Sequence, residues 1–207
     1  MIISHRHKFV FIKTRKTAGS IVEHALRPHL HSDLDICTGS SRDSTPELNI
    51  NPDTNGHLSY DDIRDFDSRI TDDYWFFTIE RNPWEKVIGS YFWHQYIKPE
   101  KFTNVPFELY VTEYKPYHPM DWKLYRKIFY RKDWTVFDYD RMDNLFTTLG
   151  LKYDINVLPS IYEGTRLKSG IRPEWADRKF VYNNETKAHV ANAFSNEIEF
   201  KGYVFDE

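Results

Sequence analysis

Three short apolar strand-like runs, each followed within a few residues by apolar side chains at helical spacing, restrict this chain to a layered α/β fold. The runs are Lys8-Phe-Val-Phe-Ile-Lys13, Tyr74-Trp-Phe-Phe-Thr-Ile79 and Trp134-Thr-Val-Phe-Asp-Tyr139. The first two read as buried strands, the first of them buried on both faces, and the third as a further strand. After the first, Ile21, Val22, Ala25 and Leu26 recur at helical spacing until Pro28 stops the pattern. After the second, Asn82 is placed to cap a helix and Pro83 suits its first position. Glu85 falls where a capping-box acid reaches back, and Trp84, Val87, Ile88 and Tyr91 form one apolar stripe. After the third, Asp140 is the expected cap, Met142, Leu145, Phe146 and Leu149 share a face, and Gly150 is the expected stop. This order predicts three layers, with a largely parallel central sheet flanked by helices.

The remaining segments read less sharply. Residues 30–55 are rich in Ser, Asp, Asn, Thr and Pro and read as loop, with a short strand at Leu34 to Thr38. Ser59 is a suitable cap for a short helix that follows it. Residues 91–134 hold fourteen aromatics, interrupted by Pro99, Pro106, Pro116 and Pro119, which points to short helices and loops packed on one another. A last helix is expected over about Glu185 to Glu197. With 207 residues and 40% hydrophobic side chains, a single domain over 1–207 is expected. No apolar run approaches the roughly 20 residues of a membrane span. The start lacks the pattern of a secretory signal. Cys37, the single cysteine, excludes an intramolecular disulfide and a multi-cysteine zinc site, and fits a reducing, cytoplasmic setting.

The net charge of -3 argues against a general nucleic-acid binder. The charge is uneven, however. Residues 1–30 carry six basic side chains against the one acid Glu23, whereas residues 31–74 carry eleven acids against three arginines. A local cationic site on a mildly acidic chain suits a small anionic ligand. The site is Lys13-Thr-Arg-Lys-Thr-Ala-Gly-Ser20, placed between the first strand and its helix. In such sheets ligands sit beyond the carboxyl ends of the strands. Gly19 allows close backbone approach, the helix start offers N–H groups, and the lysines and hydroxyls add donors, as a phosphate or sulfate requires. The lysine precedes the loop's one glycine, so the Walker A spacing is absent.

Arg15-Lys-Thr-Ala-Gly-Ser20 resembles the 5′-phosphosulfate loop of carbohydrate-type sulfotransferases, with Arg15 in place of the usual proline. Arg81-Asn-Pro-Trp-Glu-Lys-Val-Ile-Gly-Ser-Tyr91 is similar to the family's 3′-phosphate motif. The family serine falls on Gly89 here, which leaves Ser90 as its substitute. Arg166-Leu-Lys-Ser-Gly-Ile-Arg172 resembles the late basic loop that closes over the cofactor, and Asp138–Leu145 and the Tyr182–Tyr203 ending resemble the family's closing elements. The resemblance implies a P-loop NTPase-like sulfotransferase fold and 3′-phosphoadenosine-5′-phosphosulfate (PAPS) as donor, with 3′,5′-ADP as product and no metal. It implies that Arg15, Lys16, Thr17, Ala18, Gly19, Ser20, Arg81, Ser90, Lys168 and Ser169 hold the donor. Lys16 would stabilise the leaving oxygen. His57, which resembles a Gly-His segment of the family, would take the proton of an acceptor hydroxyl, expected on a carbohydrate, with His118 the second candidate.

Two other functions fit the residues: a nucleotide-dependent kinase or ATPase on a related fold, which the missing Walker A pattern disfavours, and a non-catalytic anion-binding protein. His5/His7 and His29/His31 are i, i+2 pairs, poor evidence for a metal.

Overall fold

A computed structural model of the chain describes residues 1–31, 33–38, 56–114, 119–163 and 170–206. They gather into two compact units, each assembled from two stretches of chain: residues 1–80 with 123–167, and residues 81–122 with 168–207.

The first unit is built on a five-stranded sheet. Its strands are β1 (Ile2–Ser4), β2 (Phe9–Ile12), β3 (Ile36–Cys37), β4 (Trp75–Glu80) and β5 (Trp134–Asp138), in the order β3-β1-β2-β4-β5. The three expected strands are β2, β4 and β5, and they run parallel, with Phe9 opposite Trp75 and Phe76 opposite Trp134. The sheet as a whole is mixed rather than largely parallel, because β1 pairs antiparallel with both β2 and β3. The cause is the connection: only His5–Lys8 separate β1 from β2, too few residues for a parallel crossover. The buried Asp35 carboxylate secures that reversal by accepting the N–H groups of His5 (2.7 Å), Arg6 (3.1 Å) and His31 (2.8 Å).

Both faces of the sheet are covered, which explains why β4 is buried at all six positions. On one face Trp75, Phe77 and Ile79 join Phe9 and Phe11 of β2. They pack with Val22, Ala25 and Leu26 of α1 (Gly19–Leu26) and with Leu145, Phe146 and Leu149 of α7 (Met142–Tyr153). The opposite face carries Phe76 against Tyr60 of α2 (Tyr60–Phe66), with ring centroids 5.2 Å apart. There Glu80 accepts a hydrogen bond from Tyr125 of α6 (Trp122–Tyr125) at 2.9 Å.

Local signals fix most helix starts. Ser59 and Asp62 form a reciprocal capping box at α2. Asn82 Oδ1 accepts the N–H of Trp84 at 3.2 Å to open α3 (Pro83–Ile97). Helix α7 (Met142–Tyr153) departs from expectation at both ends. Asp140 lies in a 3₁₀ turn rather than at the cap, and the helix passes through Gly150 to end at Asp154, which adopts the left-handed conformation.

The second unit is helical: α3, α4 (Pro99–Phe102), α5 (Phe107–Thr112), α9 (Arg178–Val181), α10 (Asn184–Ala193) and α11 (Ser195–Lys201). A further short helix of the first unit, α8, covers Pro159–Glu163. The expected last helix is thus two, divided at Phe194. The second unit's core joins Trp84, Val87 and Ile88 of α3 to Tyr110, Val190 and Phe194. A fully buried ion pair, Lys86 with Asp121 at 3.1 Å, lies in this unit.

Phe77, fully buried and in ring contact with Phe9, Phe11, Trp75 and Phe137, sits at the centre of the first core. Phe77→Ala is expected to destabilise the fold by about 3–5 kcal/mol, read as a lower urea midpoint; a loss under about 1 kcal/mol would contradict this packing.

Candidate functional site

The turn between β2 and α1 is held from beneath. Thr78 Oγ1 donates to the Ile12 carbonyl at 2.8 Å, and Thr14 Oγ1 donates to the Ile79 carbonyl at 2.5 Å, so the exits of the two parallel strands are tied together. Thr17 Oγ1 lies 2.8 Å from Thr14 Oγ1 and 3.1 Å from the Thr14 carbonyl. Thr17 is wholly buried, and its hydroxyl braces the turn.

Lys13 also serves the scaffold. Its ammonium pairs with Glu23 Oε2, and the other oxygen of Glu23 accepts from the α-amino group of Met1 at 2.9 Å. That amino group also donates to the Gly56 carbonyl at 3.0 Å. All the charged groups here are buried, and a charge left alone in such a place would be costly. Glu23, the lone acid among the basic residues of the first thirty, was the available sequence signal for this pairing.

The Lys13 side chain crosses under Gly19. A Cβ at Gly19 would come 2.7 Å from Lys13 Cγ, so glycine is required by close approach. Lys16 (φ 62) and Ala18 (φ 60) adopt left-handed backbone, which costs a non-glycine residue about 1–3 kcal/mol. Left-handed residues in a turn reorient successive peptide groups, the geometry that lines an anion-binding concavity with N–H donors. Arg15, Lys16, Ala18 and Ser20 are half-buried and reach the surface, while Thr17 and Gly19 do not.

His57 belongs to this turn although it is distant in sequence. Its Nδ1 lies 2.8 Å from the Lys13 carbonyl oxygen. A carbonyl only accepts, so Nδ1 carries the proton and Nε2 is the basic nitrogen. Burial pushes the imidazole pKa down to about 3, the Lys13 carbonyl opposes this, and the charges of Arg15, Lys13 and the Met1 amino group add to the depression. His57 is therefore neutral at physiological pH and a weak base in the absence of an anion.

Arg81 and Ser90 lie in the second unit. Arg81 Nη2 is 3.3 Å from Glu85 Oε2. Glu85 thus turns to arginines and does not reach back as a capping acid. Ser90 is fully buried, and Tyr110 donates its hydroxyl to Ser90 Oγ at 3.1 Å. Its hydroxyl is used inside the unit, and Gly89 occupies the more open neighbouring position of the helix. Lys168, Ser169 and His118 lie outside the described residues.

No family model, curated protein or solved structure matches the chain. Among the described residues, no group of three or more His, Cys, Asp or Glu side chains is arranged to hold a metal ion, and no helix is long and apolar enough to cross a membrane.

Gly19→Ala is expected to lower stability by about 1–3 kcal/mol, because the added methyl displaces a lysine pinned by Glu23; an unchanged thermal midpoint would contradict the close approach. The His57 pKa gives a second expectation. An unfolded histidine titrates near 6.5, so between that pH and about 3 only the unfolded chain takes the proton. Stability contributed by His57 is present above pH 6.5 and is lost as pH falls toward 3. Urea midpoints should therefore fall more steeply from pH 7 to 4.5 in the wild type than in His57→Gln; equal slopes would reject the assignment.

Proposed function

We propose that the chain transfers the sulfuryl group of PAPS to an acceptor hydroxyl, on a carbohydrate by resemblance, within a P-loop NTPase-like sulfotransferase fold. The observation that carries this reading is the left-handed turn at Lys16 and Ala18, flanked by Arg15 and Lys16 and joined to His57 through the Lys13 carbonyl. It unites a phosphate-type cradle, two cations and a histidine of defined tautomer. The donor's 5′-phosphosulfate is assigned to this turn; the assignment of its 3′-phosphate to Arg81 comes from the motif resemblance alone.

Sulfuryl transfer is an in-line displacement. The acceptor oxygen forms a bond to sulfur as the bond from sulfur to the bridging oxygen breaks, and that electron pair leaves on the 5′-phosphate of 3′,5′-ADP. Lys16 neutralises the charge developing on the bridging oxygen, helped by backbone N–H groups of the turn. His57 Nε2 takes the acceptor proton. Since Arg15 and Lys13 help depress its pKa, an anion beside them raises it and makes the base stronger when the donor is bound.

The same low pKa favours a second reading, an anion-binding protein without turnover. Radiolabelled PAPS with a panel of glycans, phenols and alcohols separates the two. Transfer is expected, and Lys16→Ala should cut kcat by about 10²–10³-fold with 3′,5′-ADP still bound. Binding without transfer to any acceptor supports the second reading. Calorimetry should show 3′,5′-ADP binding at least about tenfold more tightly than ADP; equal affinities would remove the 3′-phosphate from the proposal.

A further inference from the structure

One face of the first unit's sheet is covered by two neighbouring elements whose outward sides carry opposite charge. Helix α2 reaches the sheet through Tyr60 against Phe76. The second element, the end of α6 and the 3₁₀ helix Arg126–Tyr130, reaches it through Tyr125 on Glu80 and ends at Arg131, whose guanidinium carbon lies 4.9 Å from the Phe76 ring centroid. Ile63 of α2 and Leu124, Tyr125 and Ile128 of the second element are buried. The outward sides therefore point away from the sheet together. On α2 these are Asp61, Asp62 and Asp65, all exposed, while Arg64 is drawn aside to donate to the Ile70 carbonyl at 2.6 Å. Residues 122–132, by contrast, hold five Lys and Arg side chains and no acid. Lys123, Arg126, Lys127 and Tyr130 recur there at i, i+3, i+4 and i+7, and all four reach water, Tyr130 at 88% exposure.

The two stripes lie side by side. Lys127 Nζ pairs with Asp61 at 2.5 Å across their boundary, and Arg131 Nη1, 3.5 Å from the Tyr60 hydroxyl, pairs with Asp72 at 2.8 Å. Among the described residues, Lys123, Arg126 and Asp65 have no ion-pair partner of their own. Adjacent stripes of opposite sign are self-complementary: a two-fold axis laid along their boundary sets the acidic stripe of each copy on the basic stripe of the other. A nucleic acid or an anionic bilayer drawn to the basic stripe meets the repulsion of the acidic one beside it, which a second copy does not. Tyr130 on one stripe and Phe66, 38% exposed at the end of the other, supply apolar area for such a contact to bury.

We propose that α2 and residues 123–130 form an isologous interface between two copies of this chain, with Lys123 and Arg126 of each copy set against Asp61 and Asp65 of the other and Tyr130 within the contact. The interface is independent of the donor reading. It is held mainly by exposed charges, so salt weakens it.

Sedimentation velocity on the full chain at about 0.1 mM is expected to show a dimer at about 0.05 M salt, with the dissociation constant raised about tenfold or more at about 0.5 M. Two variants isolate the contact: Lys123→Glu with Arg126→Glu, and Asp61→Lys with Asp65→Lys. Each sets like charges against one another and is expected to be monomeric. Their equimolar mixture sets an acidic stripe on a basic one at both contacts and should recover the dimer, a gain that a misfolded variant cannot produce. Should either reversal lose the circular dichroism of the wild type, Arg126→Gln and Asp65→Asn take their place, each expected to weaken the dimer by about threefold or more. A wild type that stays monomeric at low salt, folded reversal variants that dimerise alone, a mixture of them that stays monomeric, or neutral variants as tight as the wild type would each overturn the interface. So would a monomeric wild type that binds a single-stranded oligonucleotide or a vesicle of anionic phospholipid through Lys123 and Arg126, which would give the basic stripe to a polyanion.

Discussion

The buried pairing of Glu23 with Lys13 is the interaction from which the geometry of the turn follows. A lysine taken out of water needs a partner, and Glu23 on α1 supplies it while its second oxygen holds the amino group of Met1. With Lys13 drawn beneath the turn, only glycine fits at position 19 and the chain above it passes through left-handed conformations at Lys16 and Ala18. The Lys13 carbonyl is then available to orient His57. Helix, turn and histidine are thus fixed through one side chain that touches no ligand in the proposed chemistry.

The two units use a carboxylate among cations in different ways. Glu23 and its partners are buried, with each carboxylate oxygen bonded to one ammonium, an arrangement suited to holding structure in place. Glu85 is more open and is faced by three guanidiniums. The same distinction separates Lys13, spent on the scaffold, from Lys16 and Arg15, which reach the surface. It also bears on His57, whose basicity is coupled to the charge around it: the cations that would attract an anionic donor are among the groups that weaken the base until one arrives.

The strands β2 and β4 were legible because a segment buried on both faces must be largely apolar; β5, an edge strand with one fully buried residue, was legible from its β-formers, and α1, α3 and α7 from their apolar faces. Strand β1 was not, since three residues are too few to show a pattern, and with it went the direction of half the sheet's pairings. At the site, the sequence singled out the 13–20 turn and His57, which the fold brings together. Where the hydroxyls point was not legible in it. Thr17 and Ser90 are suitable donors by type, but one faces the strand exits and the other faces Tyr110. Arg172 lay at the edge of a basic segment already marked, and nothing local distinguished it from its neighbours.

The sequence by itself determined the layered α/β architecture, the strand exit at which the cations collect and the capping of α2 and α3, because these depend on residues close together along the chain. Tertiary structure alone decided which cations are buried in the scaffold and which reach the surface. It also decided the tautomer of His57, the inward turn of Thr17 and Ser90, and the convergence of Arg172 and Arg178 on Glu85. Each of those outcomes depends on a partner tens of residues away or on which side of an element faces water, and no local pattern of residue types encodes either.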